Sequence, residues 1–256
     1  MKKYILLILC MFLLSGCKKE NNKETLLPET IDVELSDLEY NRISSLIDLL
    51  PFDVESLNVK EFTNQDKLNL AFALLRYENT GENHVVADYS INKTTITEIL
   101  KKYFGKSITV KMENYMCEYC PNEVLYAYNE NTEEFEYTYH GHGYSSVNHI
   151  NHIVSTKQRG NQYYIEVVKI FAGPVSDIWF DFPTKLYKTA ADAYNASNMI
   201  IDIKGDNEYC YYDSSWGGTN CDLEKVAKSK AELFNTYVYT FNIEDDAAIF
   251  NDFKLK

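Results

Sequence analysis

Four of the five histidines lie close together in the segment YHGHGYSSVNHINH, as His140, His142, His149 and His152. On an extended strand His140 and His142 share a face, whereas His149 and His152 share a face only on a helical turn. Imidazole is the commonest metal-ligating side chain, and three or four converging nitrogens hold Zn²⁺ at about 2.0–2.1 Å. The spacing therefore allows a zinc site. The absence of an HExxH helix favours the alternative, in which these are loop or hydrogen-bonded histidines without a metal.

The cysteines form a second group with chemical potential. The CxxC spacing of Cys117 and Cys120 serves a redox pair, half of a zinc knuckle or a disulfide. A redox enzyme places the first cysteine at a helix N-terminus, but here Pro121 follows and the next segment alternates like a strand. Cys210 and Cys221 flank a turn-rich loop, and a bridge between them would add about 3 kcal/mol of stability. Three pairings of these four cysteines stay open, as does a tetrathiolate zinc site.

The amino terminus has the layout of a secretory signal peptide. Two lysines precede an apolar run from Tyr4 to Leu14, which at 1.5 Å per residue is too short to span a hydrocarbon core of about 30 Å. The run ends in LSGC, Leu14 to Cys17, which resembles the lipobox of bacterial lipoproteins. The resemblance covers the first seventeen residues. It implies cleavage after Gly16 and a diacylglyceryl thioether on Cys17.

A lipid on Cys17 would determine where the protein works. Two acyl chains, at about 0.8 kcal/mol per buried methylene, give stable attachment where a single chain does not. We therefore expect Cys17 to be a lipid site on the outer leaflet of the cell membrane, or on the outer membrane of a Gram-negative cell. The polar stretch from residue 17 to about residue 33 is expected to be a flexible tether. The alternatives are an ordinary signal peptide that contains cysteine and a cytosolic protein.

The composition excludes some classes of partner. The formal net charge is −13, and it becomes −15 once the two lysines of the leader are removed. Such a chain would repel nucleic acid, and it would gain no electrostatic attraction to anionic lipid. Hydrophobic residues make up 45% of the sequence, enough for a substantial core. We expect one domain over residues 34–256.

Helix signals come first along this domain and strand signals follow. Capping boxes at Ser36–Glu39 and Thr95–Glu98, and a cap at Thr63 or Asn64, predict three helices. Asp222 is expected to cap a later amphipathic helix, and the segment 181–203 is ambiguous. Alternating β-branched and aromatic residues predict strands over residues 108–112, 123–128, 134–140, 152–156, 163–171 and 236–244.

This order predicts an α+β fold with a mostly antiparallel, hairpin-rich sheet. Such a layout resembles cystatin-like and NTF2-like folds by analogy alone, which implies no function. No GxSxG, Walker, GxGxxG or EF-hand motif is present in the sequence. We therefore expect a non-catalytic surface lipoprotein that binds a small ligand or an envelope protein. The alternatives are zinc binding through the histidine cluster and thiol-redox activity at Cys117 and Cys120.

Overall fold

A computed structural model describes residues 29–51, 53–80, 90–116, 123–138, 148–173, 184–214 and 218–256. The α-helices of the described residues are α1 Asp37–Leu49, α2 Asn64–Thr80, α3 Lys93–Phe104, α4 Ala190–Asn195 and α5 Leu223–Ser229. The strands are β1 Thr30–Asp32, β2 Ser56–Asn58, β3 Ile91–Asn92, β4 Tyr115–Met116, β5 Val124–Asn129, β6 Glu134–Tyr137, β7 Asn148–Arg159, β8 Gln162–Ala172, β9 Lys185–Tyr187, β10 Ile201–Asp202, β11 Cys210–Asp213, β12 Gly218–Cys221, β13 Asn235–Glu244 and β14 Ala247–Leu255.

The strands form three antiparallel groups. The main sheet has eight strands in the order β1-β7-β8-β13-β14-β2, and β9 and β10 join it beside the end of β8. A four-stranded sheet has the order β3-β6-β5-β4, and β11 pairs with β12 as a separate hairpin. The predicted α+β class with a mostly antiparallel, hairpin-rich sheet is confirmed. None of the described helices has the combination of length and apolar character that a membrane span requires.

The main sheet is covered on both faces. On one face, α1, α2 and α3 pack with the four-stranded sheet over side chains such as Ile165, Val167 and Tyr239. Aromatic contacts bind this side together, and the Phe72 ring stacks on that of Tyr126 with 3.9 Å between centroids. On the opposite face, Val168 and neighbouring apolar residues pack with α5 and the β11–β12 hairpin. Alternate residues of β8 therefore belong to two separate cores.

Local capping signals were partly correct. Ser36 Oγ accepts from the Glu39 amide at 3.3 Å, as predicted, but the Glu39 carboxylate accepts instead from the Ala248 amide at 2.6 Å. That capping box is therefore not closed, because a strand distant in sequence supplies a competing donor. The predicted box at Thr95 was wrong, since α3 starts at Lys93 and Asn92 caps it through the Thr94 amide at 2.8 Å.

The predicted strand at residues 108–112 was also wrong. Ile108, Val110 and Met112 pack partly buried against the large core, which explains the alternation, but the segment pairs with no strand of the described chain. The side chain of Asn64 takes that place, accepting from the Lys111 amide at 2.7 Å and donating to the Lys111 carbonyl at 2.8 Å. Side-chain hydrogen bonds from the start of α2 thus take the place of the backbone hydrogen bonds that a neighbouring strand would make.

The end of the predicted tether differs as well. Thr30–Asp32 form β1 at the edge of the main sheet, where Ile31 lies opposite Gln158 of β7. Edge pairing is set by a distant strand, and the polar sequence before residue 33 carries no signal for it. Residues 30–32 therefore belong to the main sheet, although the sequence assigned them to the tether.

Candidate functional site

A disulfide closes the β11–β12 hairpin at its base. Cys210 and Cys221 are directly opposite in the strand register, with 4.1 Å between their Cα atoms, and their sulfur atoms are bonded. Both cysteines are buried in the core on the α5 face of the main sheet. Of the three pairings that the sequence left open, the structure contains the one between Cys210 and Cys221.

Further contacts fix the base of the hairpin to α5. Tyr209 is buried, and its hydroxyl group hydrogen-bonds with Ser229 Oγ at 3.1 Å. The Asp222 amide donates to the Tyr209 carbonyl at 2.8 Å, and the Asp222 carboxylate caps α5 by accepting from the Lys225 amide at 2.9 Å. The hairpin therefore projects from a rigid base.

A cavity of about 330 Å³ lies beside this hairpin. Tyr211 and Tyr212 are 58% and 68% exposed, unusually high values for large aromatic side chains. The Tyr211 hydroxyl accepts from Asn220 Nδ2 at 3.0 Å, which holds its ring in place. The cavity is lined by Thr184, Lys204, Gly205, Asn207, Cys210, Tyr211, Tyr212 and Thr219. Aromatic faces, hydroxyls, an amide and an ammonium group thus meet in one concave surface, as in small-molecule sites.

A second, wider cleft of about 620 Å³ lies on the main sheet between β2 and β8. It is lined largely by polar strand residues, including Asn58, Gln162 and Asp252. Its aromatic residues offer little free surface, because Tyr164 is half-buried and Phe253 is buried. The hairpin cavity is therefore the better candidate for ligand recognition.

The structure separates the two described histidines of the predicted zinc cluster. His149 and His152 both lie on β7, three positions apart with no bulge between them, so they face opposite sides of the sheet. A site that uses all four imidazoles is incompatible with this geometry. His140 and His142 lie outside the described residues. Within the described residues, no group of three or more metal-ligating side chains is close enough to hold a metal ion. Zinc binding through a smaller set stays a prediction.

The environments of the two histidines agree with this separation. His149 faces α1, and burial, reinforced by the charge of Lys169, lowers its pKa to about 4. His152 faces α5, and partial burial together with the charge of Lys228 lowers its pKa less strongly. Burial therefore disfavours the charged form of both imidazoles, and the two side chains lie on opposite faces of the main sheet.

A buried lysine lies on the same face of the main sheet as His149. Lys169 of β8 is fully buried, and its Nζ lies 4.7 Å from the ring centroid of Tyr237, 4.8 Å from that of Phe253 and 5.5 Å from that of Tyr239. Burial lowers the pKa of Lys169 to about 8, against the opposing charges of Asp48 and Asp53. Burying a charge is costly unless the charge is paired. Among the described residues, Lys169 Nζ has no hydrogen-bond partner.

Asp48 and Asn151 lie next to this lysine. Asn151 Nδ2 donates to Asp48 Oδ1 at 2.7 Å. The other side-chain atom of this amide, Asn151 Oδ1, is buried and accepts no hydrogen bond from the described residues. Desolvation raises the pKa of the Asp48 carboxyl group, although part of the residue is exposed. We call Asp48, Asn151 and Lys169 the polar triad.

Sequence reasoning did not identify the polar triad or the exposed tyrosines. A signal for Lys169 exists, because it shares the inward positions of its strand with Ile165, Val167 and Phe171. Cys17, Cys117 and Cys120 lie outside the described residues. Lipidation and thiol-redox activity therefore stay predictions. Because Cys210 and Cys221 are bonded to each other, neither of them is available to pair with Cys117 or Cys120.

Comparison of this chain with protein-family models, with curated proteins and with solved structures finds no match.

Proposed function

We propose that this chain is a lipid-anchored extracytoplasmic binding module without catalytic activity, and that it recognises its ligand in the hairpin cavity. The observation that carries this proposal is the pair of exposed tyrosines, Tyr211 and Tyr212, on a disulfide-closed hairpin beside a concave polar surface. Tyrosines contribute large contact area at low cost in conformational entropy, and they are enriched in recognition surfaces.

The proposed location is supported by two independent features. The lipobox-like segment ending at Cys17 predicts export and membrane attachment. The Cys210–Cys221 bond agrees with an oxidising compartment, because disulfides are rare in the cytosol. With the two lysines of the leader removed, the anchored chain would carry a net charge of −15 and would rely on its lipid for attachment.

The cavity lining favours a ligand rich in hydroxyl groups, such as a saccharide. Aromatic faces pack against the apolar faces of sugar rings, and the cavity places Thr184, Asn207 and Thr219 beside them as hydrogen-bonding partners. Lys204 adds a cation at the same surface, which suits a saccharide that carries a carboxylate.

Replacing Tyr212 with alanine tests this site. We expect the Tyr212→Ala variant to bind about tenfold more weakly or worse, a loss of about 1.4 kcal/mol, because it removes an exposed aromatic face. The measurement is saturation-transfer NMR on the full chain in detergent, with short oligomers of glucose, N-acetylglucosamine and galacturonic acid as probes.

The matched control is Tyr194→Ala, because Tyr194 is also 50% exposed but does not line the cavity. It should leave affinity unchanged. Absence of binding by all three oligomers would contradict the proposed ligand class. Equal losses of affinity in the two variants would show that the ligand does not bind in the hairpin cavity.

A further inference from the structure

The main sheet places an amine and a carboxamide side by side. Asn151 of β7 is directly opposite Lys169 of β8 in the antiparallel register, so both side chains project from the same face. Side chains at such positions have Cβ atoms about 4.5–5.5 Å apart. The lysine side chain then has four methylene groups with which to reach the asparagine.

The Lys169 amine and the Asn151 carboxamide lack the polar contacts that buried groups with a structural role normally make. Within the described ranges, Lys169 Nζ and Asn151 Oδ1 are both buried without a hydrogen-bond partner. The nearby carboxylate of Asp48 binds the Asn151 amide nitrogen rather than the amine. A buried lysine held for stability is normally paired with a carboxylate, because leaving its amine unsatisfied is costly.

We propose that Lys169 and Asn151 join through an intramolecular isopeptide bond between the lysine Nζ and the asparagine Cγ. The neutral amine attacks Cγ, a C–N bond forms, and the Cγ–Nδ2 bond breaks. The attacking nitrogen loses a proton, the leaving nitrogen gains one, and a molecule of ammonia departs. No oxidant, reductant or cofactor takes part. The product is an amide that carries no charge into the core.

Asp48 is the catalytic residue of this step. Its carboxylate already contacts Nδ2, the leaving nitrogen, at 2.7 Å, so it can carry a proton from the attacking amine to the leaving group. Burial in the low-dielectric core favours the neutral amine that the attack requires. The Lys169 amine lies against the rings of Tyr237 and Phe253, so the proposed reaction requires the lysine side chain to turn from them toward Asn151 on the neighbouring strand.

Peptide mapping of the full chain tests the bond. After reduction and alkylation, trypsin releases residues 112–157, which contain Asn151, and cleaves after Lys169 only if that lysine is unmodified. The bond predicts a branched peptide that joins 112–157 to 160–185, with a mass lower than the sum by one ammonia. Separate peptides 112–157 and 160–169 in the wild-type protein would overturn the proposal.

Variants assign the atoms. Lys169→Met and Asn151→Ala should each abolish the branched peptide, and Asp48→Asn, which keeps a hydrogen-bonding side chain of the same shape, should reduce its yield at least tenfold. A branched peptide that persists in Asn151→Ala, or one that has lost water instead of ammonia, would overturn the assignment of Asn151. A full yield in Asp48→Asn would remove the role of Asp48. The wild-type and Asp48→Asn maps decide the matter even where a core substitution prevents folding.

Discussion

Replacing both Cys210 and Cys221 with alanine should lower the free energy of unfolding by about 3 kcal/mol. The bond closes a loop with a sequence separation of 11 residues, and its loss restores conformational freedom to the unfolded chain. The same change should weaken ligand binding, because the hairpin that carries the exposed tyrosines loses the clamp at its base. Denaturant unfolding of the oxidised proteins measures the first effect.

The single variants provide the control for this prediction. If the two sulfurs are bonded, Cys210→Ala or Cys221→Ala alone removes the whole cross-link, so the double variant should cost little more than either single one. Losses that simply add would mean that the two cysteines act as independent buried side chains. That result would contradict the bond and the rigid hairpin that depends on it.

His149 should make stability depend on pH. Its pKa is about 4 in the folded protein and about 6.5 in the unfolded chain, so between these values the unfolded chain binds a proton that the folded protein does not. Above pH 6.5 this residue therefore costs the protein no stability. As the pH is lowered from 6.5 to 4 the free energy of unfolding falls, and below pH 4 the full contribution of His149 is lost. The total loss is about 3 kcal/mol. Unfolding measured at intervals between pH 7.5 and pH 4 follows it.

The His149→Gln variant isolates this effect from the acidic residues that titrate in the same range. Glutamine stays neutral and can still hydrogen-bond with the backbone, so the stability of the variant should fall less steeply below pH 6.5. Wild-type and variant curves that differ by a constant amount at every pH would show that His149 is not held neutral by burial.

Local signals in the sequence predicted the elements that depend on local interactions. Ser36 and Asp222 cap helices as expected, because a cap needs only a side chain and an amide two or three residues later. The turn at Gly160 joins two long strands as expected, and the residue has a positive φ of 58° that suits glycine.

Features set by distant partners could not be predicted in the same way. Glu39 leaves its capping box for the amide of Ala248, and Asn64 replaces a strand beside Lys111. Strand β1 depends on pairing with β7. Each of these outcomes rests on which segment folds next to another, and residue spacing along the chain does not encode it.

The candidate sites show the same division. The spacing of Cys210 and Cys221 around a turn-rich loop correctly indicated a disulfide, and the register then placed them opposite each other. The histidine cluster was less informative, because strand geometry places His149 and His152 on opposite faces of the main sheet. The polar triad combines residues from one helix and two strands, so only the folded chain reveals it.

Fatty-acid labelling of the full chain tests the central claim, membrane anchoring outside the cytoplasm, most directly. Bacteria that express the protein and take up radiolabelled palmitate should transfer label to the wild-type chain in the membrane fraction. The Cys10→Ser variant should behave identically, since that cysteine lies in the leader that we expect to be removed. The Cys17→Ser variant should lose both the label and the membrane association. Label that persists in Cys17→Ser, or a wild-type chain that stays unlabelled, would contradict the account.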